Sequence, residues 1–270
     1  MRIASWNVNS VKQRLDLLRG WLAERQPDLV ALQETKCVDE AFPREALEDC
    51  GYNVATVGQK SFNGVAILSK LPIEETISRL PGDDGDAQAR FLEAVVSTPT
   101  GVLRFASIYL PNGNPPDTDK YPYKLAWFDR LIEHARARLA CEEPLVLTGD
   151  YNVIPMPVDA RDPAQWVGDA LFLPPTRERY RRLLALGFVD ALRASCDASS
   201  VYTFWDYQAG AWQKDNGIRI DHVLLSPEAA DRLTAVGIDR GLRGRDKPSD
   251  HVPVWAELDL ESGVRLSGSS

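Results

Sequence analysis

The residues of this chain that are best suited to chemistry lie where apolar runs give way to turn-forming residues. Acids, amides and histidines recur at six such places: Asn7 and Asn9; Gln33, Glu34 and Lys36; Tyr109 and Asn112; Asp150 and Asn152; Asp221 and His222; Asp250 and His251. Taken singly, each is more readily explained as a turn, cap or core residue. Because active sites collect on loops held by a rigid scaffold, their repetition predicts one shared site.

The chemistry of this set favours a hard divalent cation. Glu34 and Asp250 offer carboxylate oxygens and Asn7 offers a neutral oxygen, and these are ligands that suit Mg²⁺ or Mn²⁺. Zinc is disfavoured, because the chain has only three histidines and its four cysteines form no CxxC pair.

Two further residues suit acid–base work on a phosphate. Asp150 has the chemistry to orient or deprotonate a water molecule. His251 can donate to a phosphoryl oxygen if a carboxylate holds its other ring nitrogen, and Asp221 is the candidate for that carboxylate. Which of Asp150 and His251 deprotonates the water stays open at this level.

The composition limits the classes of protein to which this chain can belong. Of the 270 residues, 44% are hydrophobic and 26% are charged, as in ordinary globular proteins. The sequence has no apolar run of transmembrane length, and its first residues lack the apolar core of a signal peptide, so we expect a cytoplasmic protein with no membrane partner. The net charge of -8 argues against a protein that coats DNA, but not against an enzyme that contacts a few phosphates.

Short apolar runs alternate with helical patterns along the chain. Strands are predicted over residues 1–6, 29–32, 53–57, 65–68, 91–97, 103–109, 145–148, 202–205, 218–225, 236–238 and 252–258. A helix is predicted after an N-cap at Ser10, with Val11, Leu15, Leu18 and Leu22 on one face. Two further helices are predicted over residues 120–139 and 177–186, and loops over residues 112–120 and 159–175.

Hairpin signals between the strands argue against a purely parallel sheet. The pattern fits an α+β sandwich in which two packed mixed sheets carry helices on their outer faces. No change of composition divides residues 1–260, so we expect one domain there, followed by a loose polar tail over residues 261–270.

Eight segments carry a resemblance to a known family. They are SWNVNSV, LQETK, NGVAILSK, SIYLPNG, TGDYNV, YTFWDY, GIRIDHVLLS and KPSDHVPVW, and they run from residue 5 to residue 255. In this order they resemble the exonuclease III family of abasic-site endonucleases and 3′-exonucleases, within the DNase I-like group of metal-dependent phosphoesterases. The resemblance implies a four-layered αββα fold with the site at one end of the sandwich.

The resemblance also implies a divalent metal, Mg²⁺ or Mn²⁺, surrounded by Asn7, Glu34 and Asp250. The wider set of metal-binding residues that it implies also includes Asp150, Asn152 and His251.

Catalytic roles follow from the same resemblance. Tyr109, Asn112 and Asn152 are implied as contacts to the scissile phosphate. Asp150 is implied to position or activate the attacking water, while His251, oriented by Asp221, contacts a phosphate oxygen. The catalytic residues are therefore predicted to be Tyr109, Asp150, Asn152, Asp221 and His251.

The predicted DNA contacts include both polar and aromatic residues. Phe204, Trp205 and Trp212 lie where the family lines a small pocket for a base-less sugar, although core packing is an equally open interpretation of Phe204. The basic segment RGLRGRDK at residues 240–247 is predicted to contact phosphate, and RERYRR at residues 177–182 to be a solvated helix face. The full DNA-binding set is Lys36, Arg90, Asn112, Phe204, Trp205 and Trp212.

The implied function is DNA repair by Mg²⁺-dependent hydrolysis. The expected reactions are cleavage of the phosphodiester 5′ to an abasic site and 3′-to-5′ trimming of duplex DNA. The expected protein is a bacterial cytoplasmic monomer that works at the nucleoid.

Two alternatives are a phosphatase or phospholipase of the same superfamily, acting on inositol phosphates or sphingomyelin, and a catalytically dead binding module. Inositol phosphatases tend to have a basic residue where this chain has Val153. His222 departs from the family, which favours an apolar or aromatic residue there. It is interpreted as a spectator, a DNA contact or an alternative hydrogen-bond partner.

Overall fold

The computed structural model describes residues 1–195 and 201–260, and these residues contain twelve strands. In chain order the strands are β1 (Arg2–Asn7), β2 (Leu29–Gln33), β3 (Asn53–Val57), β4 (Val65–Ser69), β5 (Ile73–Ile77), β6 (Phe91–Thr98), β7 (Gly101–Tyr109), β8 (Leu145–Asp150), β9 (Val189–Asp190), β10 (Asp221–Leu225), β11 (Leu233–Ile238) and β12 (Val254–Leu258). They form two six-stranded sheets, with the orders β11-β12-β1-β2-β4-β3 and β5-β6-β7-β8-β10-β9.

The helices lie between these strands along the chain. They are α1 (Leu15–Arg25), α2 (Arg44–Glu48), α3 (Lys120–Leu139), α4 (Pro174–Ala185), α5 (Ala191–Ser195) and α6 (Pro227–Ala230), with short 3₁₀ turns at Asp39–Ala41, Pro157–Asp159, Pro163–Trp166 and Arg240–Gly244. In the described part of the chain, no helix has both the length and the apolar character needed to cross a membrane.

Alternate residues of each strand point to opposite sides of its sheet. The apolar residues on one side of each sheet therefore pack against the other sheet, and those on the opposite side pack against helices. In β1, Ile3 belongs to the core between the sheets, while Ala4 and Trp6 face outwards and pack with α1. The ring of Trp6 meets that of Trp21 of α1 edge-on, with 5.7 Å between centroids. Phe128 of α3 is buried against the outer face of the second sheet. The predicted sandwich of two mixed sheets with helices outside is confirmed.

The predicted start of the first helix is wrong. Ser10 is not its N-cap: its φ is 88°, and α1 begins at Leu15. Backbone hydrogen bonds from Val8 to Gln33, from Ser10 to Glu34 and from Val11 to Thr35 hold the intervening segment against the loop after β2. These long-range bonds override the local capping signal.

Several other bounds are corrected. Residues 202–205 form no named strand, and the strand predicted from residue 218 begins only at Asp221, because Phe204 makes isolated bridges to Ile218 and His251 instead of a continuous ladder. The edge strand β5 was missed, since most of its side chains are exposed and polar. The loop predicted over residues 159–175 contains 3₁₀ turns and the start of α4. The predicted tail at residues 261–270 lies outside the described residues.

Strand register brings the polar strand ends together at one edge of the sandwich. The parallel pair β1 and β2 places Asn7 opposite Gln33, and the parallel pair β7 and β8 places Tyr109 opposite Asp150. The antiparallel pair β8 and β10 then places Asp221 opposite Asp150. Contacts between β1 and β8 connect the two sheets near this edge. The predicted convergence of the strand ends is therefore a direct result of register.

Gly149 allows Asp150 to reach this position. Its φ is 153°, and a Cβ atom built there would lie 1.9 Å from the carbonyl oxygen of Ile108 on the neighbouring strand. Backbone atoms cannot move aside as a flexible side chain can, so only glycine fits without distortion of the β7–β8 pair.

Gly149→Ala should lower the free energy of unfolding by roughly 2–4 kcal/mol, because it forces a side chain into the backbone of β7. Gly20→Ala is the matched control. Gly20 lies inside α1, and a Cβ atom there meets nothing within 4 Å. That variant should be more stable by about 0.5–1 kcal/mol. Urea unfolding of both variants measures the difference, and equal stabilities would contradict the steric role of Gly149.

Candidate active site

A compact cluster of ionisable side chains lies at the edge where the strand ends meet. Glu34, Asp150 and His251 each present one ligand atom, and these atoms lie within 4.8 Å of one another. Asn7 connects the acids, because its Nδ2 donates to Glu34 Oε1 at 2.8 Å and to Asp150 Oδ2 at 2.9 Å. Its Oδ1 accepts the backbone N–H of Asn9 at 3.0 Å. In this arrangement Asn7 joins the carboxylates, and its oxygen is partly engaged already.

Asp150 is the most constrained acid of the cluster. Its side chain is almost wholly buried, and Oδ1 accepts the backbone N–H of Asn152 at 2.9 Å. Burial disfavours its charge, His251 favours that charge, and the neighbouring acids Asp221 and Glu34 oppose it, so the pKa of Asp150 is raised to about 7. Such a carboxylate is suited to accept a proton near neutral pH.

His251 is held by a buried carboxylate, as the sequence predicts. Its Nδ1 donates to Asp221 Oδ2 at 2.9 Å, and its Nε2 lies 3.7 Å from Asp150 Oδ2. Burial opposes the imidazolium charge, but Asp221 and Asp150 outweigh it and raise the pKa of His251 to about 10. The ring is therefore doubly protonated at neutral pH. That state suits a donor to phosphate better than a metal ligand.

Tyr109 and Arg90 form the wall beside Glu34. Burial, followed by the charge of Glu34, raises the pKa of the Tyr109 phenol well above its usual value, so the hydroxyl stays protonated and can donate. The guanidinium of Arg90 lies over the Tyr109 ring at 4.8 Å and donates to the Gln88 side chain at 2.7 Å. The predicted DNA contact Arg90 therefore lies directly next to the cluster.

Asn112 and Asn152 form a pair of amides on adjacent loops. Asn112 Nδ2 donates to Asn152 Oδ1 at 3.0 Å, and Asn152 Nδ2 donates to the carbonyl of Leu110 at 2.9 Å. Each amide NH₂ group thus retains a second N–H for another acceptor. The structure places both predicted phosphate contacts side by side.

Asp250 lies outside the three-residue cluster and is joined to it by Asn9, a strand-end residue that has no predicted metal, catalytic or DNA-binding role. Asn9 donates to Asp250 Oδ1 at 3.1 Å and accepts from Lys36 Nζ at 2.5 Å. Lys36 also pairs with Glu34 Oε2 at 2.9 Å. Burial opposes the charge of Glu34, but Lys36 and Asn7 keep its pKa below the usual value. The repeated amide in Asn-Val-Asn was the sequence signal for Asn9.

Four residues of this region have a strained backbone conformation. Asn9, Glu34, Lys36 and Asn152 have φ values of 43°, 52°, 55° and 46°, in the left-handed region. Non-glycine residues enter that region at an energetic cost and are enriched there at functional sites. The surrounding hydrogen bonds hold these four side chains in place against that cost.

The donor set fits a divalent cation such as Mg²⁺ or Mn²⁺. Glu34 and Asp150 contribute hard carboxylate oxygens within the cluster, and Asp250 offers another close by. After burial, the charges of Asp221 and Glu34 contribute to the raised pKa of Asp150, and a bound cation would relieve this repulsion between acids. The predicted metal roles of Asn7, Asn152 and His251 stay predictions.

This geometry can be compared with known proteins. The Endonuclease/Exonuclease/phosphatase family matches residues 4–251, which include every residue of the cluster. The chain belongs to this family. It is 34% identical to "Exodeoxyribonuclease III" of Haemophilus influenzae over 266 residues, which cover 96% of this chain and 100% of that protein.

Two solved structures of the family illustrate the similarity. One is the 3′ phosphatase NExo from Neisseria bound to a product DNA hairpin, with a TM-score of 0.92, 37% identity and coverage of 96% of this chain and 99% of that one. The other is an AP endonuclease from Archaeoglobus fulgidus, with a TM-score of 0.91, 35% identity and coverage of 96% and 100%. The predicted resemblance to the exonuclease III family is confirmed.

The three predicted DNA-facing aromatic residues of this family member have different environments. Phe204 is half-buried, and its ring meets that of His251 edge-on at 4.9 Å, next to the cluster. Trp205 is corrected: it is 0% exposed and donates to Asp215, so it supports the surface from below and presents no face to DNA. Trp212 packs edge-on against Trp205 at 5.0 Å and under Arg240.

The two basic segments are largely occupied by ion pairs. In the segment at residues 240–247, Arg240 pairs with Asp215, Arg245 pairs with Glu24, and Arg243 is buried. Arg243 is therefore not available to phosphate, whereas the side chains of Arg240 and Arg245 are partly exposed and their predicted contact with phosphate stays a prediction. In RERYRR, Arg179 and Arg182 pair with Asp129 of α3, which agrees with a structural helix face.

His222 is a buried structural residue. It follows Asp221 in β10 and therefore points to the opposite side of the sheet, away from His251. Its Nδ1 accepts from Arg219 at 2.9 Å and its Nε2 donates to the carbonyl of Val153 at 3.1 Å. The sequence leaves His222 open to interpretation as a spectator, a DNA contact or an alternative hydrogen-bond partner, and the structure supports the spectator role. Burial, followed by the charge of Arg219, lowers the pKa of His222 to about 4.

His222 should make the protein less stable in mild acid. Below its ordinary pKa of 6.5 the unfolded chain takes up a proton, whereas the folded chain does not until the pH falls to about 4. The free energy of unfolding should therefore fall across this interval, by about 3 kcal/mol in the limit.

His222→Gln retains one acceptor and one donor but does not titrate, so its stability should fall less between pH 7 and pH 4.5. Urea unfolding at these two pH values tests this. An identical loss of stability in the wild type and the variant would contradict the assignment. The variant should also retain full activity, since His222 points away from the cluster.

Proposed function

We propose that this protein is a divalent-metal-dependent DNA repair nuclease that hydrolyses the phosphodiester 5′ to abasic sites and trims the 3′ ends of duplex DNA. The observation that carries the proposal is the Asp221–His251–Asp150 arrangement beside Glu34. It combines a protonated donor, a buried base and a cation site at one place.

The relatives support a nuclease in particular. The chain covers the full length of an exodeoxyribonuclease III, and similar structures include an AP endonuclease and a 3′ phosphatase solved with DNA. Hydrolysis of DNA phosphodiester bonds is therefore the activity of this chain. A monomeric state, a cytoplasmic location and association with the nucleoid stay predictions.

The metal would be held by Glu34 together with Asp250, so that the carboxylate of Asp150 is free to act as the base. When bound, Mg²⁺ or Mn²⁺ polarises the phosphate and offsets charge on the leaving oxygen. The other steps of the reaction are carried out by side chains of this chain. Asp150 accepts a proton from the attacking water, and the 3′-oxygen leaves in line.

Charge that develops on the phosphate is met by fixed donors. The imidazolium of His251 donates from Nε2, while its Nδ1 stays bonded to Asp221. The Tyr109 hydroxyl and the amides of Asn112 and Asn152 supply neutral donors. Because these groups are held before substrate binds, they need little rearrangement in the transition state.

Lesion recognition is assigned to Phe204 and its neighbours. Phe204, Ile218, Ile220 and Leu171 belong to one apolar cluster next to His251. An abasic sugar has no base to unstack, so it can be placed against the Phe204 ring at lower cost than a normal nucleotide. Lys36 and Arg90 are positioned to contact the backbone on the Glu34 side.

The alternatives receive less support. Val153, where inositol phosphatases tend to have a basic residue, is fully buried and bonded through its carbonyl to His222. It can offer no charge to a second phosphate. A catalytically dead module would not need the complete set of ionisable groups that meet at this cluster.

A duplex oligonucleotide with one abasic analogue tests the activity. With Mg²⁺ it should be cut once, 5′ to the analogue, and addition of EDTA should abolish cutting. The undamaged duplex and a duplex with a recessed 3′ end separate endonuclease from exonuclease activity. Turnover of an inositol phosphate without any DNA cleavage would overturn the proposal.

Asp150→Asn removes the proposed base but keeps the size of the side chain. Turnover should fall by about 10²- to 10⁴-fold, since general-base catalysis contributes that much. Binding of the abasic duplex in Ca²⁺, measured by fluorescence anisotropy, should stay close to wild type. Asp231→Asn, at an exposed position after α6, is the control and should be fully active. Near-normal turnover by Asp150→Asn would refute the role of Asp150.

A further inference from the structure

A buried lysine lies directly beneath the amide pair of the site. Lys124 is in the second turn of α3, and its side chain is fully buried. Its Nζ donates to the backbone carbonyl of Asn112 at 2.9 Å and to that of Asn152 at 2.6 Å. The two loops that carry the proposed phosphate contacts are therefore joined through one ammonium group.

The loop after β7 is shaped around this lysine. Gly113 has a φ of 87°, and a Cβ atom there would lie 2.6 Å from Cδ of Lys124. On the other side, Asn152 adopts its left-handed backbone and offers its carbonyl to the same Nζ. The chain accepts an unusual backbone conformation in each loop while keeping Lys124 in contact with both.

Burial of the Lys124 amine costs more free energy than burial of an apolar side chain at the same place. The acids whose charges act on its ammonium group are Asp150 and Asp169. Burial lowers its pKa to about 7, against the opposing effect of these acids. Methionine would fill the same space without the cost of burying an amine. The contacts to two carbonyls are what methionine could not provide.

We propose that Lys124 is a positioning residue that fixes the Asn112 and Asn152 loops relative to each other, so that both amides meet the scissile phosphate. The inference rests on the phosphate-binding role assigned to these amides in the proposed function. Lys124 itself is buried beneath the loops and touches no substrate.

Loss of the two Lys124 contacts should lower mainly kcat. Each amide uses one N–H in the network and has a second one for phosphate, and its direction depends on the backbone that Lys124 holds. A displacement of a positioning group by about 1 Å can cost about 10²-fold in rate. DNA binding is spread over many other contacts, so KM should change little.

Lys124→Met tests the inference with a side chain of similar length that lacks both donors. Its kcat on the abasic duplex should fall by about 10²-fold, while KM stays within about threefold of the wild type. Arg136→Met, which removes a positive charge from the exposed face of the same helix, is the matched control and should be fully active. Thermal unfolding establishes that the variants are folded.

A double-mutant cycle distinguishes positioning from general stability. If Lys124 acts through Asn112, then Lys124→Met should cost much less in a chain that already carries Asn112→Ala. A purely structural lysine would give the same fold-loss in both backgrounds. If Lys124→Met does not fold, Lys124→Gln, which keeps an uncharged N–H donor, is used in the same cycle.

The inference is overturned if the folded variant keeps kcat within about threefold of the wild type, or if the two losses multiply independently. The wild-type chain is assayed in parallel. Absence of cleavage by the wild type would refute the proposed function, whereas cleavage by the wild type with an unaffected Lys124 variant would refute only the positioning role.

Discussion

The site depends on one buried positive charge that is shared between carboxylates. The imidazolium of His251 bonds to Asp221 and faces Asp150, and the Glu34 carboxylate lies within 4.8 Å of both His251 and Asp150. In a medium of low dielectric constant these acids repel one another strongly, and His251 offsets only part of that repulsion. A divalent cation, together with the donors that surround a phosphate, is suited to balance the remaining negative charge.

Register, more than any loop, determines that this charge arrangement exists. Asp150 is opposite Tyr109 on one neighbouring strand and opposite Asp221 on the other, so three functional residues share one row of the sheet. A shift by one residue would turn the side chain of Asp221 to the other face, where His222 now lies. The buried His222, bonded to Arg219 and Val153, resists such a shift.

Much of the fold and the cluster could be predicted from the sequence, because apolar periodicity identifies strands and polar residues mark their ends. Contacts between distant segments could not. The predicted N-cap at Ser10 is wrong because backbone hydrogen bonds to the loop after β2 outweigh the local capping preference of serine. The burial of Trp205 depends on how residues 201–220 fold back on themselves, which no short pattern reports. Asn9 was underestimated because its partners, Lys36 and Asp250, are far away in sequence.

The pairing of β1 with β12 has a consequence for when the protein becomes active. Asn7 and His251 are 244 residues apart in the sequence, and β12 can reach β1 only after the ribosome has made all the residues between them. The amino terminus itself bonds to the carbonyl of Leu258. A nascent chain therefore has no assembled nuclease centre until β12 has been made, and a chain cut short before β12 cannot acquire one.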